Sequence, residues 1–159
     1  MRSDSRRQAL LSGVAALVGA ACPFIPDARA ADVPRYELGV ASGEPRPDGM
    51  VLWTRITGVD LPPAVEVQWE VAGDETFRQV VARGSETAEV AWAHSVHAEP
   101  AGLEPARWYW YRFRALGQQS PVGRTRTAPA ADAASTLKAA IASCQRYDHG
   151  EWAAWQHMA

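Results

Sequence analysis

Residues 65–71 alternate between apolar and polar without a break. Val65, Val67, Trp69 and Val71 fall on one side, and Glu66, Gln68 and Glu70 on the other. A period of two belongs to a strand with one face buried and one face wet, and no amphipathic helix can satisfy it. The same pattern returns at 107–116, where Tyr109, Tyr111, Phe113 and Ala115 oppose Trp110, Arg112 and Arg114. Shorter apolar runs at 36–42, 50–57, 77–83, 95–99 and 120–127 also read as strands. Gly and Pro punctuate them, most densely in the turn at 43–49. From residue 33 to 128 no helix-length period appears.

Seven short strands with alternating faces are the pattern of an immunoglobulin-like or fibronectin type III-like sandwich. Leu103 and Pro105 followed by Tyr109 match the corner of such domains, in which the tyrosine hydroxyl ties back to the chain. Trp53 and Trp69 are the expected core tryptophans. The run Trp108, Tyr109, Trp110, Tyr111 offers a sugar platform on one reading. On the other it is half core and half inter-domain surface. His94 and His97 are three apart, so in a strand they face opposite sides and do not share an ion; both are expected at the surface.

Residues 1–30 form an address rather than a fold. Arg2, Arg6 and Arg7 precede an apolar stretch rich in Ala and Gly, and Ala28-Arg29-Ala30 fits a signal-peptidase site. Arg6 and Arg7 within Ser5-Arg6-Arg7-Gln8-Ala9-Leu10-Leu11 read as a twin-arginine export signal and name the export machinery as a partner; the other reading is a general secretory signal with two chance arginines. The stretch is too short for a stable membrane anchor. Gly19 stands where a lipoprotein signal would need Leu before Cys22. The destination is the periplasm or the outside of a bacterium. Net charge is -2, and the first 30 residues contribute four arginines against two aspartates. The rest is therefore mildly acidic, which points to neither a nucleic-acid scaffold nor a membrane surface.

A linker at 129–136 leads to an apolar run at 137–142 that reads as a buried strand. Ser143, Cys144 and Gln145 come next, and the pattern at 151–159 starts like an amphipathic helix. A strand that delivers a thiol to its C-terminal tip and then turns into a helix is a common opening of an α/β site. With Cys22 removed, Cys144 is the sole cysteine of the mature chain, so an internal disulfide is not its purpose. Its other reading is a small buried hydrophobe at a strand end.

Several ordered motifs resemble the PhoD-like alkaline phosphatases. The stretch from Leu38 through Ser42, Gly43, Glu44, Pro45 and Gly49 to Leu52, Trp53, Thr54 and Arg55 is similar to that family's opening, with Glu44 in place of the usual Asp. Trp69 with Asp74 and Phe77, Gly102 to Pro105 with Trp108 and Tyr109, and Pro121 to Thr127 continue the likeness. Ser143-Cys144-Gln145 with Tyr147 and Gly150 resembles the family's first catalytic-domain motif, with Arg146 where Asn is expected.

The resemblance implies an exported alkaline phosphatase or phosphodiesterase that hydrolyses phosphate esters. It implies an N-terminal sandwich over residues 31–128 and a metallophosphoesterase domain that uses iron and calcium. On that reading Cys144 is an iron ligand, a role that suits a soft thiolate. Two metal ions need several carboxylate, Asn and His ligands. Only Asp148 and His149 stand close behind Cys144, and the chain contains no Asn. The fold expected is therefore mostly β: a sandwich, then at 137–159 the truncated first β-α unit of an α/β domain. Such a chain is expected to be inactive by itself. The alternative is a stand-alone secreted fibronectin type III-like binding module.

Overall fold

The computed structural model describes residues 33–134, 136, 138–143, 150 and 157. Among them eight strands form two antiparallel sheets. The strands are β1 (Val40–Arg46), β2 (Gly49–Arg55), β3 (Ala64–Ala72), β4 (Val80–Glu89), β5 (Ser95–Ala98), β6 (Trp108–Ala115), β7 (Gln118–Gln119) and β8 (Gly123–Arg126). The smaller sheet runs β1-β2-β5. The larger runs β4-β3-β6, and β6 pairs on its far side with both β7 and β8. The one named helical element is a 3-10 turn at Val90–Trp92.

The alternation at the sequence level becomes the core. Val65, Val67 and Val71 of β3 and Tyr109, Tyr111, Phe113 and Ala115 of β6 are buried. They meet Met50, Leu52 and Val96 of the smaller sheet in one cluster. Each large side chain removed from water contributes about 1.5–3 kcal/mol. Tyr111 and Phe113 pack edge to face with ring centres 6.3 Å apart, a favoured aromatic geometry. Two glycines make room for core rings: a Cβ on Gly84 would strike the Trp69 indole, and one on Gly123 the Tyr111 ring.

The tyrosine corner is present. The Glu104 amide donates to the Tyr109 hydroxyl at 2.9 Å, and Leu103 is buried beneath. Thr127 extends the knot: its hydroxyl donates to the Glu104 carbonyl at 2.6 Å and accepts from the Arg107 amide at 3.0 Å. Leu103 N–H reaches Asp48 O, and Ala128 N–H reaches Arg46 O. The corner loop, the β1–β2 turn and the departing chain are thus bound at one end of the sandwich.

Several expectations need correction. The first strand begins at Val40 and continues to Arg46, through residues expected to turn. Its left-handed Glu44 (φ 46°) and the register shift between Gly43 and Arg46 mark a bulge, leaving Pro47 and Asp48 as the turn. Phe77 lies in a loop with φ 56°, and β4 starts only at Val80. The last run divides into β7 and β8 on either side of Pro121, which has no N–H for a ladder; beside it the Ser120 hydroxyl accepts from the Phe113 amide at 2.9 Å.

Trp53 is not a core residue. Leu52 and Thr54 face inward and are fully buried, so strand parity puts Trp53 on the outer face, half-buried. Trp69 is partly buried and packs against the core. His94 is buried, not at the surface, and His97 is exposed. The strand expected at 137–142 is absent at every described position: residues 138–143 carry no strand pairing and are exposed, Ile141 by 92%. An apolar run becomes a strand only where another edge accepts its backbone hydrogen bonds and a layer covers its side chains. No described strand does so. The expected helix lies outside the described residues apart from His157.

The segment 33–128 is expected to fold when expressed alone, with a β-type circular dichroism spectrum; a mainly helical spectrum contradicts this. Within it Tyr109→Phe removes the corner hydrogen bond and strands the Glu104 amide, and should cost about 1–3 kcal/mol in urea unfolding. Phe113→Ala should cost about 3–5 kcal/mol.

Candidate functional site

The functional residues expected from sequence divide into two groups. Arg6, Arg7, Cys144, Asp148 and His149 lie outside the described residues. Those inside the sandwich are placed clearly. The His94 ring nitrogen Nε2 is 2.9 Å from the Pro62 carbonyl, which locks a structural histidine into its turn. His97 lies on β5 opposite Trp53, on the outer face of the smaller sheet. The two histidines do not form a site. Among the described residues no three His, Cys, Asp or Glu side chains gather closely enough to hold a metal ion.

The sandwich presents instead a guanidinium and indole face on the larger sheet. Tyr109 and Tyr111 point inward, so Trp108 and Trp110 point outward. The cross-strand partners are Arg126 opposite Trp108 and Arg124 opposite Trp110. The Arg124 guanidinium carbon lies 4.4 Å from the Trp108 ring centre, and that of Arg126 lies 5.7 Å away. One indole therefore stacks two cations, an arrangement worth about 0.5–1 kcal/mol per contact at an exposed site. Among the described residues neither arginine has a carboxylate partner. Both guanidiniums keep in-plane N–H donors for an acceptor from outside. Sequence reasoning saw the aromatic run but not this stacking, because the arginines arrive from β8, a separate strand.

Further along the same face, Glu70 neutralises Arg112 through a half-buried pair at 2.7 Å and stands 3.8 Å from Arg114. Arg112 also lies 3.9 Å from the Phe77 ring centre. The loop at 73–79 holds Phe77 there. One Asp74 carboxylate organises that loop, accepting from the Gln79 amide at 2.7 Å, the Thr76 amide at 3.0 Å and the Thr76 hydroxyl. The Thr76 hydroxyl first, then the backbone donors, hold its pKa down to about 2.

Comparison with known proteins singles out the sandwich. The family described as PhoD-like phosphatase, N-terminal domain, matches residues 21–129. Alkaline phosphatase D of Bacillus subtilis (strain 168) is 50% identical over 131 residues, covering 78% of this chain and 22% of that protein. A solved structure of PhoD superposes with a TM-score of 0.69 at 44% identity, over 80% of this chain and 26% of the other. The chain thus spans about a quarter of the length of these relatives or less. The sensor domain of the anti-sigma factor RsgI4 in Pseudobacteroides cellulosolvens, at 10% identity and a TM-score of 0.44, is too distant to bear on function. Among the described residues no helix is long and apolar enough to cross a membrane.

The lowered Asp74 carboxyl sets the acid limit of its loop. A folded pKa below the ordinary value adds stability that is present above pH 3.8 and lost as pH falls through about 2. The Thr76 and Gln79 amide signals should titrate with a midpoint of about 2. A midpoint at the ordinary carboxylate value contradicts this role for Asp74.

Proposed function

The chain belongs to the PhoD-like phosphatase N-terminal domain family, and we propose that it is the front portion of an exported alkaline phosphatase or phosphodiesterase. The observation that carries this reading is the 50% identity to Alkaline phosphatase D over 131 residues. In it the fibronectin type III-like sandwich is a non-catalytic module. It comes after a twin-arginine signal that uses Arg6 and Arg7, and it precedes the domain that hydrolyses phosphate esters. The described residues supply no metal cluster, which supports placing the chemistry elsewhere.

Cys144 has one proposed role: a thiolate ligand to iron in the complete enzyme, where iron and calcium serve the hydrolysis. A metal deprotonates a coordinating thiol, and soft sulfur suits iron better than calcium. The knot of Leu103, Glu104, Tyr109 and Thr127 has a mechanical use in this reading. It fixes the direction in which the chain leaves the sandwich. The stand-alone binding module is the second reading. It is favoured by the self-sufficient core and by exposed aromatic side chains on a rigid frame.

The purified 159-residue chain is expected to turn over neither p-nitrophenyl phosphate nor bis-p-nitrophenyl phosphate, with or without added iron and calcium. Metal-dependent turnover free of host phosphatase contradicts the placement of the chemistry. For export, Arg6→Lys with Arg7→Lys should leave the chain in the cytoplasm of a bacterial host while the native sequence reaches the periplasm. Equal periplasmic recovery of both removes the twin-arginine assignment.

A further inference from the structure

At the side of the sandwich away from β1, the outer strands β4 and β5 lie next to one another. Between them runs a groove of about 530 Å3 lined by Glu86, Thr87, Trp92, Ser95, Val96 and His97. Among the described residues β4 pairs only with β3, and β5 only with β2. We propose that this groove is a binding site for a neutral saccharide, with the Trp92 indole as the stacking surface and the Glu86 carboxylate as the hydroxyl acceptor.

Trp92 is 74% exposed, although a tryptophan is among the costliest side chains to leave in water. Its backbone is nevertheless held firmly. Val90 N–H donates to Pro63 O, Ala93 N–H to Val90 O and His94 N–H to Glu89 O, while the Arg55 Nε donates to Ala93 O at 2.8 Å. Ala93 and His94 are both left-handed, with φ of 51° and 56°. Side chains of this kind adopt that region at a cost of about 1–3 kcal/mol each. The turn thus holds an exposed indole on a rigid support, which lowers the entropy cost of binding to it.

Glu86 is the second observation. It lies opposite fully buried Val67 in the β3–β4 register, on the core side of the sheet where an apolar residue is normal. It is half-buried and has no hydrogen bond or ion pair among the described residues. With no protein partner, its carboxylate oxygens are open to accept from a ligand's hydroxyl groups in place of water.

The lining selects the class of ligand. Trp92 offers an apolar wall, and Glu86, Thr87, Ser95 and His97 offer donors and acceptors around it. That combination fits the C–H face and hydroxyl rim of a sugar ring, and the groove volume falls in the range of small-ligand sites, about 300–1,000 Å3. No Lys or Arg lines it, so an anionic sugar lacks a counter-charge. A protein partner normally buries about 800 Å2 per side, and the exposed apolar surface here is little more than one indole with Val90. An added peptide strand is opposed by the inward charge of Glu86 on this edge.

The proposal is independent of the phosphatase reading. Its test is a titration of the 15N-labelled 159-residue chain with cellotetraose, fully N-acetylated chitotetraose or maltotetraose up to about 10 mM, the weak end of specific binding. At least one should shift the Trp92 indole N–H and the amides of Glu86, Thr87 and His97 saturably. Trp92→Ala should abolish the response with the remaining spectrum unchanged. Trp92→Phe, which keeps a ring, should retain weaker binding, and Glu86→Gln should weaken it roughly tenfold. The proposal is overturned if none of the three sugars moves these signals, or if the response survives Trp92→Ala.

Discussion

The pairing of β3 with β6 is the interaction on which the rest of the fold depends. These strands sit at the centre of the larger sheet, and their inner side chains alternate in register, Val71 beside Tyr111 and Trp69 beside Phe113. The smaller sheet has only three strands, and its first is exposed along nearly its whole length. It gains its stability by laying Met50, Leu52 and Val96 on the β3–β6 layer. The inter-sheet contact, not the intrinsic preference of the edge strands, holds β2 and β5 in place, and β1 is held by its pairing with β2.

Once the core is set, strand parity dictates the outside of the molecule. Burying Tyr109, Tyr111 and Phe113 forces Trp108, Trp110, Arg112 and Arg114 to the surface. Burying Leu52 and Thr54 forces Trp53 out. The tryptophans on these outer faces are by-products of a buried set and need no function of their own. Trp92 is different. It is on a turn, not a strand, and no parity rule places it in water. That is why it carries an inference that Trp53 does not.

The parts of this fold legible in the sequence are those with a strong period and a buried partner. Residues 65–71 and 107–116 announced β3 and β6, and Leu103, Pro105 and Tyr109 announced the corner. Edge strands were harder to place. In β4 the inward positions include Gly84 and Glu86, so the apolar signal fades where the strand is longest. In β1 the bulge at Glu44 breaks the alternation. Residues 138–143 carry no strand pairing because whether an apolar run forms a strand depends on a neighbouring edge, which local sequence does not contain. The groove was invisible for a similar reason: Glu86 and Trp92 meet Ser95 and His97 only after two sheets have been packed.

Two sheets sharing one core should behave as a single cooperative unit, complete without residues 138–143. Native-state amide exchange of the whole chain tests this most directly. Leu52 and Val96 of one sheet, and Val67, Tyr111 and Phe113 of the other, should exchange with a common free energy equal to that of global unfolding. Residues 138–143 should exchange without protection. Separate free energies for the two sheets, or protection at 138–143 comparable to that of β6, would contradict it.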